Sequence, residues 1–291
     1  MSDSTESLEK LIENNFDKLN KLEIWIAAQK HIPKNIRKLY FIIKSIWITF
    51  HNFLARIVLI QYIKFCDYDL EETKKLIDGN VKFRIKNKYL FTNRDIDSED
   101  FRKLITSIHF ARFPKLSKEG YAIESARVVN QNASNFNMKD ALKLAIISHD
   151  THALIGSNNK GIIQIYDASE FTFKHFIKVV SNIQAAIHYT QYGSGLTYVQ
   201  PKQVHFLSCS TFISKIISML KPFFSKEIME SIHCHSSSFE TLHKFIDKEC
   251  LPIEFGGNNG TLEEHMKNTL WNLQNNRDYI NNDENFFLLD K

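Results

Sequence analysis

Apolar residues recur at helical spacing over the first third of this chain, while further on they concentrate into short runs with strand character. Leu8, Leu11, Ile12, Phe16, Leu19, Leu22 and Ile26 follow a three-to-four-residue step, which predicts one or two amphipathic helices ended by Pro33. Residues 58–76 predict a leucine-rich helix, a turn at Asp67-Tyr68-Asp69 and a second helix running to about Lys88. Asp69 suits the start of that helix, because its carboxylate accepts from the first free amides and favours the positive end of the dipole. Leu90-Phe91-Thr92-Asn93-Arg94-Asp95 then punctuates the chain.

Beyond it the periods alternate. Residues 121–129 have strand composition, and residues 138–148 read as a helix with Ala141, Leu142, Ala145 and Ile146 on one face. Asn158-Asn159-Lys160-Gly161 is turn chemistry before a near-continuous apolar strand, Ile162 to Tyr166, of the kind that is covered on both faces. Residues 171–189 read as one helix with Val179, Ile183 and Ile187 four apart, broken by Gly193-Ser194-Gly195. A closing strand at Val204-His205-Phe206-Leu207 leads into an amphipathic helix carrying Phe212, Ile213, Ile216, Ile217 and Leu220. Lys221-Pro222 interrupts it, because proline lacks the amide an inner turn requires. After Thr261 we expect one short helix and a frayed polar tail. Strand, helix, strand, helix in this order argues for a mixed α/β domain, and there is no internal repeat.

Composition narrows the class. At 291 residues and 43% hydrophobic content the chain can fill a sizeable core. Its polar, acidic start is unlike a secretory signal, and residues 179–201, the longest uncharged run, are too polar to span a membrane. Both point to the cytoplasm. Cys66, Cys209, Cys234 and Cys250 form no CxxC pair and sit in apolar patterns, so they read as buried thiols in a reducing compartment. The net charge of +4 is unevenly placed, since residues 24–66 carry seven Lys/Arg and no acid. That block reads first as a helical bundle with a basic outer face, and second as a surface for an anionic partner.

Candidate chemistry is sparse. His149-Asp150-Thr151-His152 puts two imidazoles three apart, but no further ligand has a recognisable spacing, so these read as surface or helix-end histidines. His233 and His235 flank Cys234 too closely for converging ligands on a regular backbone. Neither Gly193-Ser194-Gly195 nor Gly256-Gly257-Asn258-Asn259-Gly260 fits a phosphate loop or nucleophile elbow. We therefore expect no catalytic residue, no metal, no cofactor and no enzyme.

Four motifs in order resemble the CRAL-TRIO lipid-binding family, in the manner of tocopherol and retinaldehyde transfer proteins of insect type. They are His205-Phe206 on a strand, Leu220-Lys221-Pro222-Phe223, Ile232-His233-Cys234-His235, and Leu251-Pro252-Ile253-Glu254-Phe255-Gly256-Gly257. Residues 58–76 resemble the family's helical N-terminal domain, and Leu90 to Asp95 its interdomain turn. The resemblance implies an α/β (α+β) architecture: an all-helical domain over residues 1–95, a mixed-sheet lipid-binding domain with a mobile lid helix over 96–270, and a tail over 271–291. Residues 36–56 do not match it. They are apolar on every side, and read as a buried extra helix, a membrane-surface element or sequence foreign to the fold.

The same resemblance implies a ligand pocket. Its wall would be Ile162, Gln164 and Tyr166 on one strand, Val179, Ile183 and Ile187 on the helix after it, Val204 and Phe206 on the closing strand, and Phe212, Ile216 and Leu220 on the lid's inner face. Gln164 would orient a ligand hydroxyl or carbonyl. Each of these positions also suits ordinary core packing. Lys202, Lys221 and Lys226 with Phe223 and Phe224 would meet a membrane transiently, each lysine adding roughly 1 kcal/mol at an anionic phospholipid surface. Where phosphoinositide-binding members carry basic side chains, this chain has Gln61, Lys202, Glu227 and Ser231, and only Lys202 is basic, so that contact should be weak. The expected function is cytosolic binding and intermembrane transfer of a hydrophobic small molecule such as a retinoid, tocopherol or carotenoid, with no nucleic-acid partner. The alternative is a lipid-sensing regulatory or scaffold module acting through protein contacts.

Overall fold

The computed structural model describes residues 8–32, 50–154, 159–235 and 238–285. The N-terminal part is helical: α1 (Leu8–Asn14), α2 (Phe16–Ala28), α3 (Phe50–Phe65) and α4 (Leu70–Lys86). Leu19, Leu22 and Ile26 of α2 meet Leu59, Ile60 and Ile63 of α3 in one buried cluster, as their helical spacing requires. The turn between α3 and α4 is tight enough to put Asp67 and Tyr68 in the left-handed region. Asp69 then accepts from the amides of Glu71 and Glu72 at 2.8 and 3.0 Å, capping α4 as its position implies. Of the unmatched block, residues 50–56 form the start of α3, where Arg56 pairs with the buried Glu23 at 2.9 Å. Its remainder, like Pro33, lies outside the described residues.

After α5 (Glu99–Leu104) comes a five-stranded sheet in the order β1 (Ile108–Arg112), β2 (Ala122–Val128), β3 (Ile162–Asp167), β4 (Pro201–Leu207), β5 (Ile232–Cys234). The first pair is antiparallel and the other three are parallel. The crossovers are α6 (Met138–Leu154), then α7 (Phe173–Val180) with α8 (Ile183–Gly193), then α9 (Thr211–Leu220) with α10 (Lys226–Glu230). The pleat sorts the side chains. Register aligns Arg112, Glu124, Gln164, Val204 and Ile232 across one face, with Phe110, Ala126, Tyr166, Phe206 and Cys234 one step along. The opposite face, with Ile123, Ile163, Ile165 and Leu207, is sealed by Leu242, Ile246, Leu251 and Phe255 from the C-terminal segment. There Gly256 takes a φ of +72° after a 3-10 turn, and a Cβ on Gly257 would strike the Leu251 carbonyl at 2.0 Å.

Several expectations are corrected. The helix expected over 171–189 is two, because Asn182 leaves helical geometry and its side chain bonds back to the Lys178 carbonyl. The expected tail is helical: α11 (Leu262–Asn275) covers the edge strand β1, whose Arg112 amide donates to Thr269 at 3.0 Å, and α12 (Arg277–Asn285) buries Ile280. His233 and Cys234, which the resemblance places in the turn that ends the lid, lie on β5, and the His205, His233 and His235 rings stack beside Phe245. Only Cys250 is buried; Cys234 is exposed, its sulfur 3.1 Å from that of half-buried Cys209.

The helical part and the sheet part meet through polar groups. His149 on α6, expected at the surface or a helix end, is buried, and Asp150 beside it is buried between Arg84 of α4 at 2.7 Å and Arg94 at 2.8 Å. Burial works against that carboxylate, but the two guanidinium groups prevail and hold its pKa below the ordinary range. Arg84 also donates to the Tyr192 hydroxyl of α8 at 2.6 Å, and Leu90 and Phe91 are fully buried beside it. The punctuating segment is thus a wedge between the parts.

Candidate functional site

Between the sheet and its crossover helices lies a cavity of about 220 Å³. Its floor is the Phe110, Ala126, Tyr166, Phe206 row and the Glu124, Gln164, Val204 row, with Ile108, Val128 and Ile162 at the margins. Tyr166 and Phe206 stack with ring centroids 5.2 Å apart, giving a flat aromatic patch. One wall is α6, through Met138, Ala141, Leu142, Ala145 and His149. The other is α8, through Ala186, Tyr189, Thr190 and Gly193, with Val179 of α7 at one end. The roof is α9, through Ile213, Ile216 and Leu220, continued by Phe224 and Ile228.

The roof is held differently from the walls. Ser210 caps α9 by accepting from the Ile213 amide, while Ser214 and Ser218 bond carbonyls of their own helix. No side chain of α9 makes a hydrogen bond or ion pair to another element among the described residues. Apolar contact seats it, with one long contact of 3.8 Å from the Ser214 hydroxyl to the Cys209 sulfur in the preceding loop.

Eight of the eleven expected pocket residues line this cavity: Ile162, Gln164, Tyr166, Val179, Val204, Phe206, Ile216 and Leu220. Ile183 and Ile187 do not, because the break at Asn182 rotates α8 so that Ala186, Tyr189 and Thr190 face inward. Phe212 does not either. It packs outside against Phe173 and Phe176 at 5.7 and 5.4 Å, and the neighbouring Ile213 takes the inner place. Of the expected membrane residues, Lys202, Lys221, Phe223 and Lys226 are exposed, whereas Phe224 turns into the cavity. Of the headgroup positions, Glu227 is exposed on α10 and Ser231 half-buried just after it.

One end of the cavity is polar, and only Gln164 of that group was anticipated. Glu124, 2% exposed, accepts at Oε1 from His149 Nε2 at 2.8 Å and from Gln164 Nε2 at 3.0 Å. The second amide proton of Gln164 reaches the Tyr189 hydroxyl at 3.1 Å. Arg112 stands 3.5 Å from Glu124 Oε2. Burial disfavours the Glu124 carboxylate, but His149 and Arg112 outweigh it and hold its pKa below the usual glutamate range. Burial also pushes the phenols of Tyr166 and Tyr189 well up, so both stay neutral. An acid at an inward position of a strand was the available signal, since an unpaired buried carboxylate is costly and so implies partners. Among the described residues no group of three His, Cys, Asp or Glu has the geometry to hold a metal.

The CRAL/TRIO domain model matches residues 103–257, and the model of a Pinta-like UBA domain matches residues 49–101. The chain belongs to the CRAL/TRIO domain family. Among curated relatives, Clavesin-2 of Mus musculus is 26% identical over 217 residues, 72% of this chain and 58% of its own length. Clavesin-1 of Xenopus laevis is 25% identical over 206 residues, 68% of this chain and 60% of its own. The chain thus spans less than two thirds of the length of these relatives. The crystal structure of Sfh5 aligns over 96% of this chain and 100% of its own with a TM-score of 0.51 at 12% identity, which speaks for the fold alone. Family membership supports binding of a hydrophobic lipid in general terms. No helix among the described residues is long and apolar enough to cross a membrane.

Proposed function

We propose that this protein is a carrier that takes a hydrophobic small molecule into the cavity and delivers it between membranes. The observation that carries this reading is the cavity itself: an apolar void of about 220 Å³ roofed by a helix that apolar contact holds. Left empty, such a void would cost about 5 kcal/mol at roughly 24 cal/mol per Å³. Filling it restores those contacts. Burying about 400 Å² of ligand apolar surface contributes on the order of 10 kcal/mol before the costs of association. No charged anchor is required.

The finer reading is a retinoid, tocopherol, carotenoid or related lipid, as in insect-type members of the family. Helix α9 then acts as a mobile lid, with Lys221-Pro222 as its hinge. Opening exposes Ile213, Ile216 and Leu220, which is unfavourable in water and favourable at a bilayer, so membrane contact shifts the lid towards open. The outer surface suits a transient landing: Phe173 and Ile177 are about half exposed, Phe223 is exposed, and Lys221 and Lys226 stand beside it for weak attraction to anionic phospholipid.

Solvent extraction of the purified protein followed by mass spectrometry tests the carrier reading. We expect a co-purifying lipid near one per chain, or stoichiometric uptake from vesicles when the protein is isolated empty. Protein that neither carries nor takes up any lipid would overturn the proposal.

A further inference from the structure

The polar end of the cavity carries a chemical preference that follows from one residue. A carboxylate accepts hydrogen bonds and cannot donate them. Because Glu124 is ionised at neutral pH, both groups bonded to its Oε1 must present protons to it. For His149 this puts a proton on Nε2. For Gln164 it fixes the amide's orientation, with Nε2 donating to Glu124 and to Tyr189, so that Oε1 is left as a bare acceptor. Gln164 Oε1 has no hydrogen-bond partner among the described residues, and Gln164 lines the cavity. The Tyr189 hydroxyl accepts from Gln164 and is hydrogen-bonded in turn to the Tyr166 hydroxyl.

We infer that this end of the cavity is a subsite for a hydroxyl group, and that the cargo is a lipid alcohol in preference to the matching aldehyde, ether, ester or hydrocarbon. The inference rests on the carrier reading. A hydroxyl donates to Gln164 Oε1, which gives that cavity-lining acceptor a partner. An aldehyde or ether brings only an acceptor to Gln164 Oε1, where a donor is needed. A carboxylate would add a second negative charge beside Glu124, which is the least favourable case. The rest of the chain then lies on the Tyr166 and Phe206 rings beneath Ile213, Ile216 and Leu220.

Direct binding of farnesol, farnesal and farnesyl methyl ether to the full-length protein, measured by displacement of a fluorescent lipid, tests this. Farnesol should bind at least about tenfold more tightly than the other two, the scale of one hydrogen bond in a dry site. Gln164→Met removes the acceptor at similar volume, and should bring farnesol down to the level of the ether. Glu124→Gln frees the Gln164 amide to rearrange, and should narrow the gap between farnesol and farnesal. Equal binding of the three compounds to the wild type, or a preference for farnesol that survives both substitutions, would overturn the subsite while leaving the carrier standing. Failure of all three to bind a protein that also yields no extractable lipid would sink the carrier reading, and the subsite with it.

Discussion

Helix α6 is gripped on one side and merely touched on the other. Towards the N-terminal helices, Asp150 is clamped by Arg84 and Arg94, and Tyr192 gathers hydrogen bonds from Arg84 and Asn80. Towards the cavity the same helix presents Met138, Ala141 and Ala145 to empty space, across from a roof whose side chains, among the described residues, make no hydrogen bond or ion pair to another helix or strand. Buried charges tolerate little displacement, because separating them leaves each desolvated and unpaired. Apolar contacts have no direction and are lost gradually. One seam therefore behaves as a rigid joint, and the other as a closure that a ligand or a membrane can work against.

The largest test of this contrast is Asp150→Ala, which strands two buried guanidinium groups and should lower the unfolding free energy by about 3–5 kcal/mol in a denaturant titration. A loss no larger than that of an ordinary surface substitution would remove the distinction between the seams. Next in size is Ile216→Asp on the roof's inner face. A charge placed there opposes closure, and we expect co-purified lipid to fall by one to two orders of magnitude, about 1.4–3 kcal/mol, in a protein with unchanged circular dichroism.

Acid should weaken the rigid seam. The folded pKa of Asp150 lies below its unfolded value, so on acidification the unfolded chain takes up the proton before the native one does. The stabilisation is complete above the ordinary carboxylate range and is lost as pH falls through the folded value, at no more than about 1.4 kcal/mol per pH unit for one proton. Asp150→Asn should flatten that limb of the stability curve measured between neutral pH and pH ~3. The smallest effect is expected of Phe212→Asp. Because Phe212 packs outside on Phe173 and Phe176, lipid affinity should change by less than about threefold while vesicle-to-vesicle transfer slows, since the aromatic landing surface is interrupted. Equal damage from the Phe212 and Ile216 substitutions to lipid affinity would erase the difference between the inner and outer faces of α9.

Much of the architecture was legible before any coordinates. The strand at His205-Phe206, the apolar strand at Ile162 and the cap at Asp69 all sit in the elements their chemistry requires. These are local matters: a turn, a cap or a stripe is decided by residues within a few positions of one another. The errors have equally local causes. Phe212 and Ile213 both fall within an apolar stripe about 100° wide, and periodicity cannot choose between adjacent members of it. Ile183 and Ile187 were read across Asn182 as if the helix continued, and a break of one or two residues turns every later side chain.

From residue types and spacing alone follow the mixed α/β plan and the stripe on α9, while the resemblance to the family picked out the floor residues Ile162, Gln164, Tyr166, Val204 and Phe206. Tertiary structure alone brought Glu124, His149 and Gln164 into contact from three separate elements, and closed Arg84 and Arg94 on Asp150. The physical reason is the range of the forces that count. Backbone propensity and amphipathic spacing act along the chain, whereas the desolvation of a charge is settled by strand register and helix packing, which join positions that carry no mark of one another in the sequence.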